Sequence, residues 1–126
     1  MSVDEASGTG GEEIRLTIPA QADFARIARL TVTGLASRLD LPYDDVEDLR
    51  IAVGEICSVL LEPAVGRLEL VCRLEPRQLE IEARLDPVIG LDPVSELTRQ
   101  ILTAVVDEFE IDEAAARIRV RKRRGR

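Results

Sequence analysis

The sequence contains no histidine and no tryptophan, and its only aromatic residues are Phe24, Tyr43 and Phe109. Because histidine is the commonest general base and a frequent metal ligand, its absence disfavours histidine-dependent catalysis and histidine-bearing metal sites. Three aromatic rings are also too few for a surface on which nucleic-acid bases stack. Most familiar catalytic and base-stacking arrangements are therefore excluded.

The chain also lacks a long apolar run and a signal-like N-terminus. No stretch approaches the roughly 18 to 20 apolar residues that a membrane-spanning helix needs, and the opening MSVDEASGTGGEE is acidic and rich in glycine and serine. We therefore expect a cytoplasmic protein with no membrane partner. The net charge of −7 argues against general affinity for nucleic acids, since phosphate binding needs a basic surface. Only residues 117–126 are strongly basic.

Cysteine is scarce, with Cys57 and Cys72 alone. Both fall at apolar positions of predicted elements, which favours buried thiols over a disulfide or a metal site. A chain of 126 residues fits one domain with a core of its own. We expect a flexible leader at residues 1–12, a single domain at residues 13–121 and a basic tail at residues 122–126.

The strongest structural signal is a helix predicted at residues 44–61. Its core face is expected to carry the apolar residues that recur at helical spacing: Val46, Leu49, Val53, Ile56, Cys57 and Leu60. A second stripe beside that face contains Asp48, Ala52, Glu55 and Val59. This stripe places a carboxylate and a valine one turn apart.

Other patterns complete an α+β fold. Alternating apolar residues predict a strand at residues 13–18 and a hairpin of two strands at residues 67–85. A helix is predicted at residues 21–39, with an apolar side formed by Phe24, Ile27, Ala28, Thr31, Gly34 and Leu35. After a loop at residues 86–95, Asp92 or Ser95 can cap a third helix, and two short strands follow. The order predicts a two-layer sandwich, with a mixed, mostly antiparallel sheet and three helices on one face.

Two segments resemble a known family. IRLTIPAQADFARIARLTVTGLASRL and YDDVEDLRIAVGEIC are similar to the RsbW-like anti-sigma factor kinases, a branch of the GHKL ATPase superfamily. The resemblance implies a histidine-kinase-like (Bergerat-type) ATPase fold, here with a shortened ATP lid. It also implies an RNA polymerase sigma factor as partner, an antagonist that competes for it, and a homodimer formed near the first strand and helix.

The chain departs from the family's ATP motifs. Glu55 matches the catalytic glutamate of the Glu-x-x-x-Asn motif, but Val59 stands where the family has asparagine, and valine offers Mg²⁺ no oxygen. The Asp-x-Gly motif falls at Leu85-Asp86-Pro87, and the Gly-x-Gly that cradles phosphate falls on Glu96 and Thr98. We therefore expect a pseudokinase with a vestigial Glu55, no bound cofactor and no metal.

Protein binding is the activity that remains. Phe24-Ala25-Arg26 matches a Phe-Ala-Arg of the family's partner surface, so Asp23, Phe24 and Arg26 are predicted to bind the sigma factor. A guanidinium suits carboxylates on an opposing helix, although an ordinary surface arginine is the alternative. Two other functions stay open. One is an active ATP/Mg-dependent serine/threonine kinase that phosphorylates the antagonist, and the other is nucleic-acid binding through the C-terminal RVRKRRGR.

Overall fold

One sheet of five strands forms a layer of the molecule, and three helices pack against one of its faces. The computed structural model describes residues 12–61 and 66–125. In chain order the elements are β1 (Glu12–Pro19), a 3-10 turn (Ala22–Phe24), α1 (Ala25–Arg38), α2 (Tyr43–Leu60), β2 (Arg67–Glu75), β3 (Gln78–Asp86), α3 (Glu96–Val105), β4 (Glu108–Asp112) and β5 (Arg117–Arg123). The described residues contain no helix both long and apolar enough to cross a membrane.

The two chain ends differ slightly from the expected boundaries. Residues 1–11 of the expected leader lie outside the described residues, and Glu12 is the first residue of β1. At the other end β5 continues to Arg123. Lys122 and Arg123 therefore belong to the sheet rather than to a tail.

The strands are arranged in the order β1-β2-β3-β5-β4. Every pairing between these described strands is antiparallel. The sequence predicted a mixed, mostly antiparallel sheet, and no parallel pairing is present among the described strands. The register aligns Ile14, Cys72, Ile81, Val120 and Phe109 across all five strands. This row lies on the face that the helices cover, as alternation along each strand requires.

Helix α2 forms the central wall of the core, as predicted. Leu49, Val53, Ile56 and Leu60 are fully buried, whereas Val46 is half-buried and packs at the margin. The helix ends at Leu60, and its expected end near residues 62–63 falls in the part of the chain that is not described.

The buried side of α1 differs from the predicted one. Ala28, Val32 and Ala36 are fully buried, but Ile27 is 43% exposed and Leu30 is 61% exposed. The three buried residues recur every four positions, so they form one ridge of the helix. Because they are small, α1 can approach α2 closely. The larger residues Ile27 and Leu30 face solvent instead.

The outer face of the sheet is covered by ion pairs instead of helices. Arg121 contacts Glu80 at 3.0 Å and Glu108 at 2.8 Å, and Glu80 also contacts Arg73 at 2.9 Å. The other basic residues of β5 are also paired: Arg117 with Glu82, Arg119 with Glu110, and Arg123 with Glu108. Such pairing leaves little free positive charge for phosphates on residues 117–123.

A buried ion cluster joins α2, α3 and β5. The only lysine of the chain, Lys122, places its Nζ 2.9 Å from Asp48 Oδ2 and 3.9 Å from Asp45 Oδ1, and donates to the Val105 carbonyl at 3.0 Å. Asp45 is 7% exposed and also accepts the Gly125 N–H. The acidic start of α2 is thus neutralised by the C-terminal strand.

Candidate functional site

The start of α3 meets the middle of α2 beside an open cavity. The cavity has a volume of about 630 Å³, within the range of about 300 to 1,000 Å³ typical of small-molecule sites. It is lined by Ser58 and Val59 of α2, residues 89–94 of the loop, Ser95, and Thr98 of α3. The loop after β3 is therefore one wall of the cavity.

A short chain of hydrogen bonds links this wall to Glu55. Ser95 caps α3, since its Oγ accepts the Thr98 N–H at 3.1 Å, as serine commonly does at a helix start. The same Oγ donates to Thr98 Oγ1 at 3.2 Å, and Thr98 Oγ1 donates to Glu55 Oε1 at 3.0 Å. The Glu55 carboxylate is thereby oriented toward the residues that line the cavity.

Glu113 fixes the loop that walls the cavity. Its carbonyl accepts the Leu91 N–H at 2.9 Å, and its Oε2 accepts the Val94 N–H at 2.7 Å. The same oxygen lies 3.3 Å from Arg99 Nη2 on α3. No local sequence pattern indicated this role, because Glu113 lies in the turn between β4 and β5, far along the chain from the loop.

The residues mapped onto the family's ATP motifs separate into two groups. Val59 and Thr98 line the cavity, whereas Glu96 is exposed and Asp86 pairs with Arg67 at 3.6 Å at the end of β3. Glu96 therefore does not stand in the cavity as the sequence led us to expect. The Thr98 side chain is hydrogen-bonded to Glu55.

The donor groups around the cavity suit phosphate and a phosphate-bound cation. Mg²⁺ usually binds one or two carboxylates together with substrate phosphates and several waters. Glu55, Asp92, Ser95 and Thr98 place oxygens at or beside the cavity, while Val59 adds none. The positive end of the α3 dipole faces the same space. In the described part of the chain no cluster of three or more His, Cys, Asp or Glu could hold a metal alone.

The residues predicted to bind a partner lie together at the start of α1. Asp23 and Arg26 are exposed, but Phe24 packs partly against the core. None of the ion pairs formed within residues 12–61 and 66–125 includes Arg26. Its guanidinium is thus available to an external carboxylate, and Phe24 is better placed to support the surface than to contact a partner.

Several known proteins are similar to this chain, although no family model matches it. The serine-protein kinase RsbW of Halalkalibacterium halodurans is 29% identical over 124 residues, which cover 81% of this chain and 76% of that protein. RsbW of a Bacillus cereus strain is 41% identical over 76 residues, or 57% of this chain and 48% of that protein. RsbW of a Bacillus thuringiensis strain is 40% identical over 74 residues, and 46% of it is covered. The matches thus span about half the length of the Bacillus relatives.

A solved structure agrees in fold. The RsbU and RsbW domains of a Mycobacterium tuberculosis protein superimpose with a TM-score of 0.71 at 16% identity, covering 90% of this chain and 33% of that one. In sequence and in fold the chain is similar to RsbW-type proteins. This similarity confirms the resemblance read from residues 14–57 and the two-layer fold that it implies.

The RsbW relatives overturn two expectations. We expected a pseudokinase that is no enzyme and holds no cofactor, but the relatives are named serine-protein kinases, a name that points to ATP and Mg²⁺. The expectation rested in part on Glu96 obstructing the phosphate site. In the structure Glu96 is exposed and does not line the cavity, and the cavity itself is open.

Proposed function

We propose that this RsbW-type chain is an ATP-dependent serine kinase that also sequesters a sigma factor. The observation that supports the kinase proposal is the open cavity at the start of α3, whose lining residue Thr98 is hydrogen-bonded to Glu55. Its protein substrate is an antagonist that competes for the sigma factor, as the family resemblance implies.

Each part of the site has a role in this proposal. The backbone N–H groups at the start of α3 bind phosphate oxygens, assisted by the helix dipole. Glu55 accepts the proton of the substrate serine, and Thr98 orients its carboxylate by the 3.0 Å hydrogen bond. Asp92 and Ser95 add oxygens near the phosphates. Bound MgATP supplies the phosphoryl group, and catalysis depends largely on this positioning.

Calorimetric titration with MgATP, combined with measurement of ADP release, tests the kinase proposal. We expect saturable binding and slow turnover by the wild-type chain. Glu55→Gln is expected to keep MgATP affinity within about threefold and to lower turnover by about 10² to 10⁴-fold, since it removes the proton acceptor. The matched control is Glu47→Gln on the same helix, where Glu47 pairs with Arg50 on the surface. Absence of MgATP binding by the wild-type chain would refute the proposal.

Sigma-factor binding is proposed to use the start of α1. Arg26 is exposed and has no intramolecular ion pair within the described residues, so it can bind an acidic helix of the partner. A tagged chain is expected to retain a sigma factor, identified by mass spectrometry, from extract of its native cell. Arg26→Ala should reduce that recovery at least tenfold, whereas Arg38→Ala at the other end of α1 should not. Equal recovery with both variants would contradict the role of Arg26.

A homodimer paired along β1 is also proposed. β1 is eight residues long and lies at one edge of the sheet, and an uncovered edge strand of that length readily pairs with another chain. Ile14 is 37% exposed there although it faces the helical side of the sheet. A second copy of the chain would cover both the edge and this side chain.

A further inference from the structure

We propose that Glu113 is a positioning residue that holds the cavity loop in the shape that binds nucleotide. This inference rests on the proposed ATP-dependent function. It concerns a residue outside the cavity lining, on the turn between β4 and β5.

Glu113 attaches to the cavity wall at three points. Its main-chain carbonyl accepts the Leu91 N–H, its carboxylate accepts the Val94 N–H, and the same carboxylate pairs with Arg99. Leu91 and Val94 bracket Asp92 and Pro93, which line the cavity. One residue therefore fixes both ends of this short segment and the first turns of α3.

The turn that carries Glu113 is itself well fixed. Asp112 Oδ1 accepts the Ala115 N–H at 3.1 Å, and the Ala116 N–H donates to the Glu113 carbonyl at 3.2 Å. Ala116 is fully buried, and its carbonyl accepts the Leu85 N–H at the end of β3. The turn that carries Glu113 is thus hydrogen-bonded to the sheet, and through Glu113 it holds the cavity loop in a fixed position.

An alanine substitution at Glu113 removes the hydrogen bond between its carboxylate and the Val94 N–H but leaves the main-chain bond to Leu91. Hydrogen bonds to an ionised acceptor are about twice as strong as neutral ones. Without the hydrogen bond from the Val94 N–H to the Glu113 carboxylate, the segment before Ser95 loses its fixed position. Nucleotide binding must then order the loop at an entropic cost. The loss therefore appears in affinity for nucleotide before it appears in the chemical step.

The experiment compares Glu113→Ala and Glu113→Gln with the control Glu110→Ala, which removes an exposed carboxylate paired with Arg119 on the same strand pair. We measure the Kd and KM for MgATP, the kcat for ADP release, and hydrogen exchange at the Val94 amide of the unliganded chain. Glu113→Ala is expected to raise Kd and KM about tenfold, to leave kcat within about twofold, and to accelerate Val94 exchange at least tenfold.

Rescue separates positioning from general destabilisation. The glutamine oxygen can still accept the Val94 N–H, so Glu113→Gln should keep Kd within about threefold of wild type, and Glu110→Ala should match wild type. If wild type binds MgATP and Glu113→Ala binds it equally well, or if glutamine fails to restore affinity, the inference is wrong. If wild type binds no MgATP, the proposed kinase function is wrong, and so is the role of Glu113 in nucleotide binding. Hydrogen exchange at the Val94 amide then still decides whether Glu113 holds the loop.

Discussion

Burial sets the chemistry of Cys57 and Cys72. Both thiols are free and buried among core side chains, as the sequence predicted. Loss of hydration raises the pKa of Cys57 to about 11 and that of Cys72 to about 12, from an ordinary value of 9.0. Both thiols therefore stay protonated and unreactive at neutral pH.

These thiols make the folded state sensitive to high pH. Since folding raises each pKa, their stabilising contribution is complete below pH 9.0 and is lost as the pH rises through about 11 for Cys57 and about 12 for Cys72. Between pH 9 and 11, the free energy of urea unfolding should fall by about 4 kcal/mol more for wild type than for the Cys57→Ala/Cys72→Ala double variant, about 2 kcal/mol for each thiol. Parallel pH curves for the two proteins would contradict the prediction.

Two glycines are expected to respond to alanine in opposite directions. Gly66 has a φ of 78°, and a Cβ there would collide with the Asp86 carbonyl oxygen, so Gly66→Ala should destabilise the fold by about 1–3 kcal/mol. Gly34 lies inside α1 with no atom near an added Cβ, so Gly34→Ala should stabilise by about 0.5–1 kcal/mol. Urea unfolding of both variants measures this difference, and the same sign for both would contradict it.

At the scale of elements, Lys122 joins two helices to the sheet. Lys122→Met leaves Asp45 buried without its cation, and removing one partner of a buried pair typically costs about 3–5 kcal/mol. Because Asp48 is partly exposed and Gly125 still donates to Asp45, we expect a loss of about 2–3 kcal/mol in urea unfolding. The control, Arg84→Met, breaks an exposed pair with Glu69 and should cost less than about 1 kcal/mol. Equal losses would show that the cluster is no stronger than a surface pair.

Periodicity explains which elements could be predicted. The strands alternate strictly and α2 carries large apolar residues on one side, so both patterns indicate the core correctly. In α1 the pattern misleads, because the buried residues are alanines and a valine while Ile27 and Leu30 face solvent. The burial of Asp45 depends on Lys122, 77 positions away, and no local pattern reveals such a pair.

At the scale of the whole molecule, the site is assembled from separate segments. The cavity is formed by α2, the loop after β3 and the start of α3, and the loop is held by Glu113 from the β4–β5 turn. The motif positions mapped Glu55 as a vestigial acid and Thr98 as a degenerate phosphate-loop position, and the structure joins the two by a hydrogen bond. Motifs could not predict the open cavity, because its shape depends on contacts between residues far apart in the sequence.

The proposed dimer is also a property of the whole molecule. Sedimentation equilibrium is expected to give twice the mass of 13.9 kDa for wild type. Ile14→Glu places a charge where the two β1 edges meet and should weaken the dimer at least tenfold, since a carboxylate loses hydration on burial. The control, Val88→Glu, makes the same kind of change at a loop residue that is 63% exposed and should leave the mass unchanged. If both variants keep the dimer mass, pairing does not occur along β1. A monomeric wild-type chain would exclude the dimer itself, and the cavity beside Glu55 would then have to work within a single copy.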